Sequence, residues 1–504
     1  MAKSEQLFLA LDQGTTSSRA ILFNAAGLPV ATSQQEFRQI TPAPGVVEHD
    51  AEEIWSSQLA TARQAMTLAA VGPEAVAAIG ITNQRETTVL WDRATGQPVA
   101  PAIVWQSRIS EPVCRRLIEA GHEEEIRALT GLRLDPYFSA TKIVHLLESV
   151  DGLALRCRRG EVLFGTIDSW LVWKFTGGRV HATDPSNAGR TLLYDIRAGR
   201  WSERLCDLFG VPMEMLPEVR PSAGHFGATV SELFGREVPI CGIAGDQQAA
   251  AYGQGCLQPG DAKNTYGTGA FLLFATGDDA VGSQHGLLTT PAADDGSGRK
   301  YFLEGAIFIA GAIVSWLRDG LGIIKHASDV ETLAASVPDS GGVVLVPALA
   351  GLGTPHWDPH ARGLMIGITR GTTAGHIARA ALESIALQVA EVVECMRQDS
   401  GIALDRLRVD GGATSNDLLM QLQADMLGVP VERPRVLETT ALGAALLAAR
   451  GAGCDAAIDT SLARQTERVF EPSIDDAARE RTLAVWREAV GRSRGWATHL
   501  APQR

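Results

Sequence analysis

The sequence predicts an α/β protein built from two halves. Three observations carry that reading. Short apolar runs bounded by Gly, Asp and Ser alternate with helical spacings along the 504 residues, the pattern of strands interleaved with helices rather than segregated layers. Asp12-Gln-Gly-Thr-Thr-Ser17, set between apolar runs, has a partial echo in Thr265-Tyr-Gly-Thr-Gly-Ala270. The strand and turn of Ile79–Glu86 have a loose counterpart in Leu407–Asn416. The duplication splits the chain into residues 1–252 and 253–504.

Element by element, Leu7–Leu11 and Arg19–Phe23 flank a polar turn and predict a β-hairpin. Ala77–Thr82, Val343–Pro347 and Leu407–Val409 read as buried strands, and Ile240–Gly245 as a small-residue strand leading into a helix that starts at Gln247. Leu272–Ala275 closes a second hairpin. Small and apolar residues at 377, 380, 381, 385, 389, 392, 393 and 396 share one helical face, with Arg379, Glu383, Glu391 and Glu394 off it. Asp294–Gly298 reads as a loop tip.

Composition narrows the function classes. Hydrophobic residues are 45% and charged residues 20%, which excludes disordered and fibrous chains. A net charge of −13 argues against nucleic acid or an anionic membrane as a broad partner. The seven cysteines are dispersed with no C-x-x-C pair, which fits a reducing, cytoplasmic setting. The start, Met-Ala-Lys-Ser-Glu-Gln followed by five apolar residues, is too short for a signal-peptide core. No run approaches the roughly 18 apolar residues of a membrane span.

Four segments carry candidate chemistry. In Asp12–Arg19, glycine permits close approach to an anion, consecutive N–H groups and hydroxyls supply donors, and Arg19 adds a charged fork. Asp12 suits a hydrated Mg²⁺. The alternative is a plain polar turn, and the echo at Gly267-Thr-Gly269 favours phosphate binding. Asp246, at a strand's carboxyl end, is placed to accept a proton from an attacking hydroxyl; the bland reading is a helix N-cap. Arg85-Glu86 suits a clamp for vicinal hydroxyls, against the alternative of a surface ion pair. Trp105 and Asp135-Pro-Tyr-Phe-Ser139 read first as core aromatics.

Together these residues resemble the glycerol kinase branch of the FGGY family of carbohydrate kinases. The matching text includes Ala10–Arg19, Gly45–Asp50, Gly80–Thr88, Ala102–Gln106, Asp135–Ser139, Leu163–Asp168, Gly242–Gln248, Lys263–Gly269, Gly351–Pro355, Trp357–Pro359 and Val409–Gly412, across roughly residues 5 to 490. The resemblance implies two ribonuclease-H-like, actin-type domains around a cleft. It also implies ATP- and Mg²⁺-dependent phosphorylation of glycerol to sn-glycerol 3-phosphate in a cytoplasmic homodimer or homotetramer. Carried over by position, Asp246 is the general base. Arg85, Glu86, Trp105, Tyr137, Asp246, Gln247 and Phe271 hold glycerol. Thr15, Thr16, Ser17, Arg19, Thr268, Gly311, Ser315, Gly412 and Asn416 face the nucleotide, with Ser315 standing where many relatives carry glutamine. Asp12 and Asp246 hold the metal. A kinase for another polyol or a ketose and a non-catalytic ATP-binding clamp are the competing readings; Trp105 and Phe271 leave little room for a larger sugar, and Asp246 with the Arg85-Glu86 clamp argues against a mere nucleotide binder.

Overall fold

In the computed structural model, residues 6–454 and 460–499 are described; Met1–Glu5, where the sequence argues against a signal peptide, lie outside them. The hairpin expected at the start is present as β1 (Leu7–Gln13) and β2 (Ser17–Phe23). With β3 (Pro29–Glu36), β4 (Val76–Asn83) and β5 (Ile240–Gly245) it forms a five-stranded sheet in the order β5-β4-β1-β2-β3. Strands β1, β4 and β5 are parallel, while β2 and β3 are antiparallel.

The second half repeats the plan. The echo forms the hairpin of β6 (Ala262–Tyr266) and β7 (Ala270–Gly277). Around it lie β8 (Leu288–Pro291), β9 (Tyr301–Ile307), β10 (Leu407–Asp410), β11 (Val431–Pro434) and β12 (Thr466–Phe470). The order is β8-β9-β7-β6-β10-β11-β12. Removing the edge strands β8 and β12 leaves the order of the first sheet. The counterpart segments of the sequence, β4 and β10, each pair in parallel with the first strand of their own hairpin. The counterpart strand lies farther from its hairpin in the second half because residues 308–406 connect β9 to β10, against residues 37–75 between β3 and β4; the insertion after β4, residues 84–239, packs a helical cluster of its own.

Alternation divides the first sheet between two helical layers. Leu7, Leu9, Leu11, Ile79 and Ile81 pack on one face with Ile54, Ala62 and Ala65 of α1 (Ala51–Leu68). Helix α1 begins where Asp50 accepts from the N–H groups of Glu52 and Glu53, which gives the Gly45–Asp50 motif a structural role. Phe8, Ala10, Ile21, Phe23 and Ala78 face the other way. Their partner is α6 (Thr439–Gly451), a helix from the far end of the chain. The longer helices of the second half that precede it are α3 (Gly311–Asp319), α4 (Ala374–Ser400) and α5 (Asp417–Leu427). The predicted helical face is buried in α4, with Ala380, Ala381, Ile385, Val389, Val392, Val393 and Met396 all in the core of the second sheet. Between the sheets, α2 (Asp246–Gln254) follows β5 and packs on α6.

None of the seven cysteines is in a disulfide, and among the described residues no helix is long and apolar enough to cross a membrane.

Candidate active site

Parallel strands leave their carboxyl ends at one edge of a sheet, where α/β proteins collect ligands. Asp12 is next to last in β1, Arg85 and Glu86 follow β4, and Asp246 follows β5, so these candidates share one edge of the sheet.

Asp246 is the first residue of α2, with Gly245 as the N-cap, so it is not itself the capping residue. Its side chain is 34% exposed, and Oδ1 lies 3.3 Å from Arg85 Nε and accepts from the Gln247 N–H at 2.7 Å. Burial raises its carboxyl, with Asp12 adding to the rise and Arg85 and Lys263 opposing it.

Arg85 is almost wholly buried and bound bidentately to Glu304, Nη1 to Oε2 at 2.6 Å and Nη2 to Oε1 at 2.9 Å. A third N–H meets Gln248 Oε1 at 3.3 Å. Of the five donors of a guanidinium, that leaves Nε, beside Asp246, and one Nη2 proton. Glu86, buried and held at φ +60°, takes Arg190 Nε at 2.5 Å. Arg190 also binds Glu304, through Nη2 at 3.0 Å. Arg85 and Glu86 are thus no surface ion pair, the alternative reading, but part of a buried network of two arginines and two glutamates. Burial would push the Glu304 carboxyl up, but Arg190 and Arg85 outweigh it and hold it at about 2. A left-handed backbone at a non-glycine residue costs about 1–3 kcal/mol and persists where surroundings fix it. Ser139 Oγ, which donates to the Glu86 carbonyl at 3.0 Å, and Arg190 do so here.

Three aromatic rings form a wall. Trp105 meets Tyr137 edge-on with centroids 5.6 Å apart, and Phe271 at 6.1 Å. Trp105 and Tyr137 come from the insertion after β4, and Phe271 from β7 of the other half, so the wall spans the two halves. Trp105 Nε1 donates to Thr15 Oγ1 at 2.9 Å, tying the wall to the first hairpin. Tyr137 lies under the Arg190 guanidinium, 5.5 Å from ring centroid to Cζ. Lys142, fully buried, donates to the Tyr137 carbonyl at 2.5 Å and the Phe138 carbonyl at 3.2 Å. Burial pulls its ammonium down to about 7.

The anion-binding candidates sit in the two hairpin turns. Gly14 N–H donates to the Ser17 carbonyl at 3.0 Å; Thr16 is exposed, and Gln34 Nε2 donates to Ser17 Oγ at 2.9 Å. Arg19 is committed to carboxylates, with Nη2 2.6 Å from Asp12 and Nη1 2.6 Å from Glu438. In the second turn Thr268 is exposed, and its carbonyl accepts from the Ala310 N–H at 2.9 Å. Gly311 starts α3 so close to this turn that a Cβ there would come 2.5 Å from the Gly267 carbonyl. Ser315 lies one helical turn on and is exposed. Gly412 is exposed beyond β10, and Asn416 caps α5, its Oδ1 accepting from the Leu419 N–H at 2.8 Å. Sequence reasoning missed Arg190, Glu304 and Lys263, because each is a single charge distant in the chain from its partners.

The geometry agrees with the comparisons to known proteins. The FGGY family of carbohydrate kinases, N-terminal domain, matches residues 7–253, and its C-terminal domain matches residues 262–452. The chain is 55% identical over 503 residues to the glycerol kinase of Bordetella parapertussis, covering 99% of each chain. It is 57% identical over 490 residues to that of Trichlorobacter lovleyi, covering 97% of this chain and 99% of the other. The crystal structure of Plasmodium falciparum glycerol kinase with ADP superposes with a TM-score of 0.90 at 35% identity, covering 97% of this chain and 98% of that one. The chain belongs to the FGGY family of carbohydrate kinases.

Proposed function

We propose that the protein transfers the γ-phosphoryl group of ATP to glycerol, giving sn-glycerol 3-phosphate, with Asp246 as general base. One observation carries this reading. A partly exposed carboxylate lies beside a buried arginine, and Tyr137, edge-packed with Trp105, lies within electrostatic reach of that arginine; a triol needs polar partners on one side and carbon contacts on the other. In the proposed pose Trp105 and Phe271 take the carbon edge. Arg85 Nε, Glu86, Tyr137, Asp246 and Gln247 take the hydroxyls. The relatives named above act on glycerol, which is the further support for the acceptor.

Phosphoryl transfer passes through a loose transition state, so proton removal is demanded late and an ordinary carboxylate serves as base. Asp246 then accepts the proton of the attacking hydroxyl. Residues 15–17 and Thr268, on facing hairpin turns, are assigned to the phosphates, and Gly311, Ser315, Gly412 and Asn416 to the rest of the nucleotide. Arg19 spends three of its five N–H donors on Asp12 and Glu438, which leaves one on each Nη for a phosphate.

Mg²⁺ fits the donor set. Asp12 and Asp246 repel each other at the sheet edge, and one or two carboxylates plus phosphate oxygens and water suit this cation. No cluster of three or more His, Cys, Asp or Glu suited to an all-protein metal cage occurs among the described residues. When bound, the ion neutralises charge on the transferring phosphate. We assign residues 1–252 to the domain carrying the glycerol site and phosphate hairpin, and 253–504 to the domain carrying the nucleotide.

The test is ADP release with Mg²⁺-ATP across glycerol, dihydroxyacetone, xylulose, ribulose and no acceptor. Turnover confined to glycerol is expected. Asp246→Asn should lower kcat by about 10²–10⁴-fold, the usual worth of a positioned base. A preferred ketose would overturn the acceptor, and an Asp246→Asn enzyme within tenfold of wild type would remove Asp246 as base.

A further inference from the structure

Where β6 of the second half meets α2 of the first, a lysine is buried with, among the described residues, no carboxylate in direct contact. Lys263, on β6 of the second half, is fully buried. Its Nζ donates to Gln247 Oε1, on α2 of the first half, and to Thr265 Oγ1 at 2.7 Å. Asp246 and Asp410 lie within electrostatic reach. A buried ammonium resting on neutral oxygens is costly and calls for a reason.

We infer that Lys263 is a positioning residue that fixes which end of the Gln247 amide faces the acceptor substrate. The reasoning is one of donors and acceptors. An amide presents an oxygen that only accepts and a nitrogen that only donates, and the two ends are nearly the same in shape. An ammonium has no acceptor, so the end of Gln247 that meets Lys263 must be the oxygen. The nitrogen is thereby turned the other way. It meets no protein acceptor among the described residues and keeps accessible surface. Gln247 therefore offers N–H donors, while the neighbouring Asp246 offers a carboxylate acceptor.

That pairing matches the two demands of an attacking hydroxyl. Its proton goes to Asp246, so its oxygen is left to receive a donor, and the Gln247 amide supplies one. A flipped amide would present a second acceptor to a hydroxyl with a single proton. Because Lys263 comes from the second half and Gln247 from the first, the polarity of this contact is set only when the halves are together.

The inference rests on the reading that Asp246 and Gln247 touch the acceptor. Its test is a double-mutant cycle on the full-length enzyme with Lys263→Met, Gln247→Ala and the double variant. Methionine preserves length and removes the charge. Lys263→Met alone is expected to raise KM for glycerol about tenfold, the loss of one hydrogen bond. KM for ATP should hold, and kcat should fall by less than KM rises. In the Gln247→Ala background Lys263→Met should add less than twofold, since the amide it orients is gone. An equal KM increase in both backgrounds, or a loss confined to kcat, would overturn the inference. Should Lys263→Met fail to fold, Lys263→Gln takes its place. Its side chain can donate or accept, so it should give an intermediate KM, and a wild-type KM for it would count against the inference. Failure of the glycerol reading shows separately, as a wild type that prefers another acceptor; the cycle is then run with that acceptor.

Discussion

At the residue scale, Glu304 ties the two halves of the chain together. Its two oxygens bind Arg85 and Arg190, and Arg190 binds Glu86, so one carboxylate from β9 locks two arginines of the other half. Removing it leaves two buried guanidiniums sharing one remaining glutamate. Breaking a buried pair costs about 3–5 kcal/mol, because the abandoned charge stays buried. Glu304→Gln is therefore expected to lose stability of that order in urea unfolding with an unchanged m-value, and an unchanged midpoint would show the network to be expendable. Arg85-Glu86 was legible in the sequence because two opposite charges follow a strand directly. Glu304 was not, since it lies 219 residues from Arg85 in an otherwise apolar strand. Its charge gains meaning only once the sheets face each other.

At the scale of elements, the contact that decides the architecture is α6 against the first sheet. Gly80 of β4 lies so near α6 that a Cβ would strike the Ala444 carbonyl, and one on Gly443 would strike the Ala249 carbonyl of α2. Periodicity located the strands and α4 well, because apolar spacing is a local property. It could not say that a run mostly of Thr, Ala, Gly and Leu at 439–451 belongs against a sheet whose first strand, β1, lies more than 400 residues earlier. Overpacking costs about 1–3 kcal/mol. Gly443→Ala is thus expected to lower the thermal midpoint and, by lifting α6 away from α2, to displace Glu438 from Arg19. A variant with wild-type midpoint and kcat would mean that the helices part without consequence.

At the scale of the whole molecule, the repeated sheet order invites the view of two self-sufficient domains, and the packing denies it. The hairpin echo and the matching strand-turn segments made the duplication legible, because each half uses the same polar turn between apolar strands. What the echo could not disclose is that the core of the first half is completed by the second. Phe8, Ala10, Ile21, Phe23 and Ala78 are covered by α6, Arg19 pairs with Glu438, and Arg85 and Arg190 both bind Glu304. A chain of residues 1–252 alone would expose that face to water, forfeiting about 1.5–3 kcal/mol for each large side chain uncovered. Such a margin is large beside the roughly 5–15 kcal/mol that holds a domain folded. We expect the 1–252 fragment to show no cooperative melting transition. Co-expression with residues 253–504 should restore a soluble pair that releases ADP in response to glycerol. A fragment that melts cooperatively near the full-length midpoint would show instead that α6 is an accessory to the first sheet, and that the cleft closes between two independent bodies.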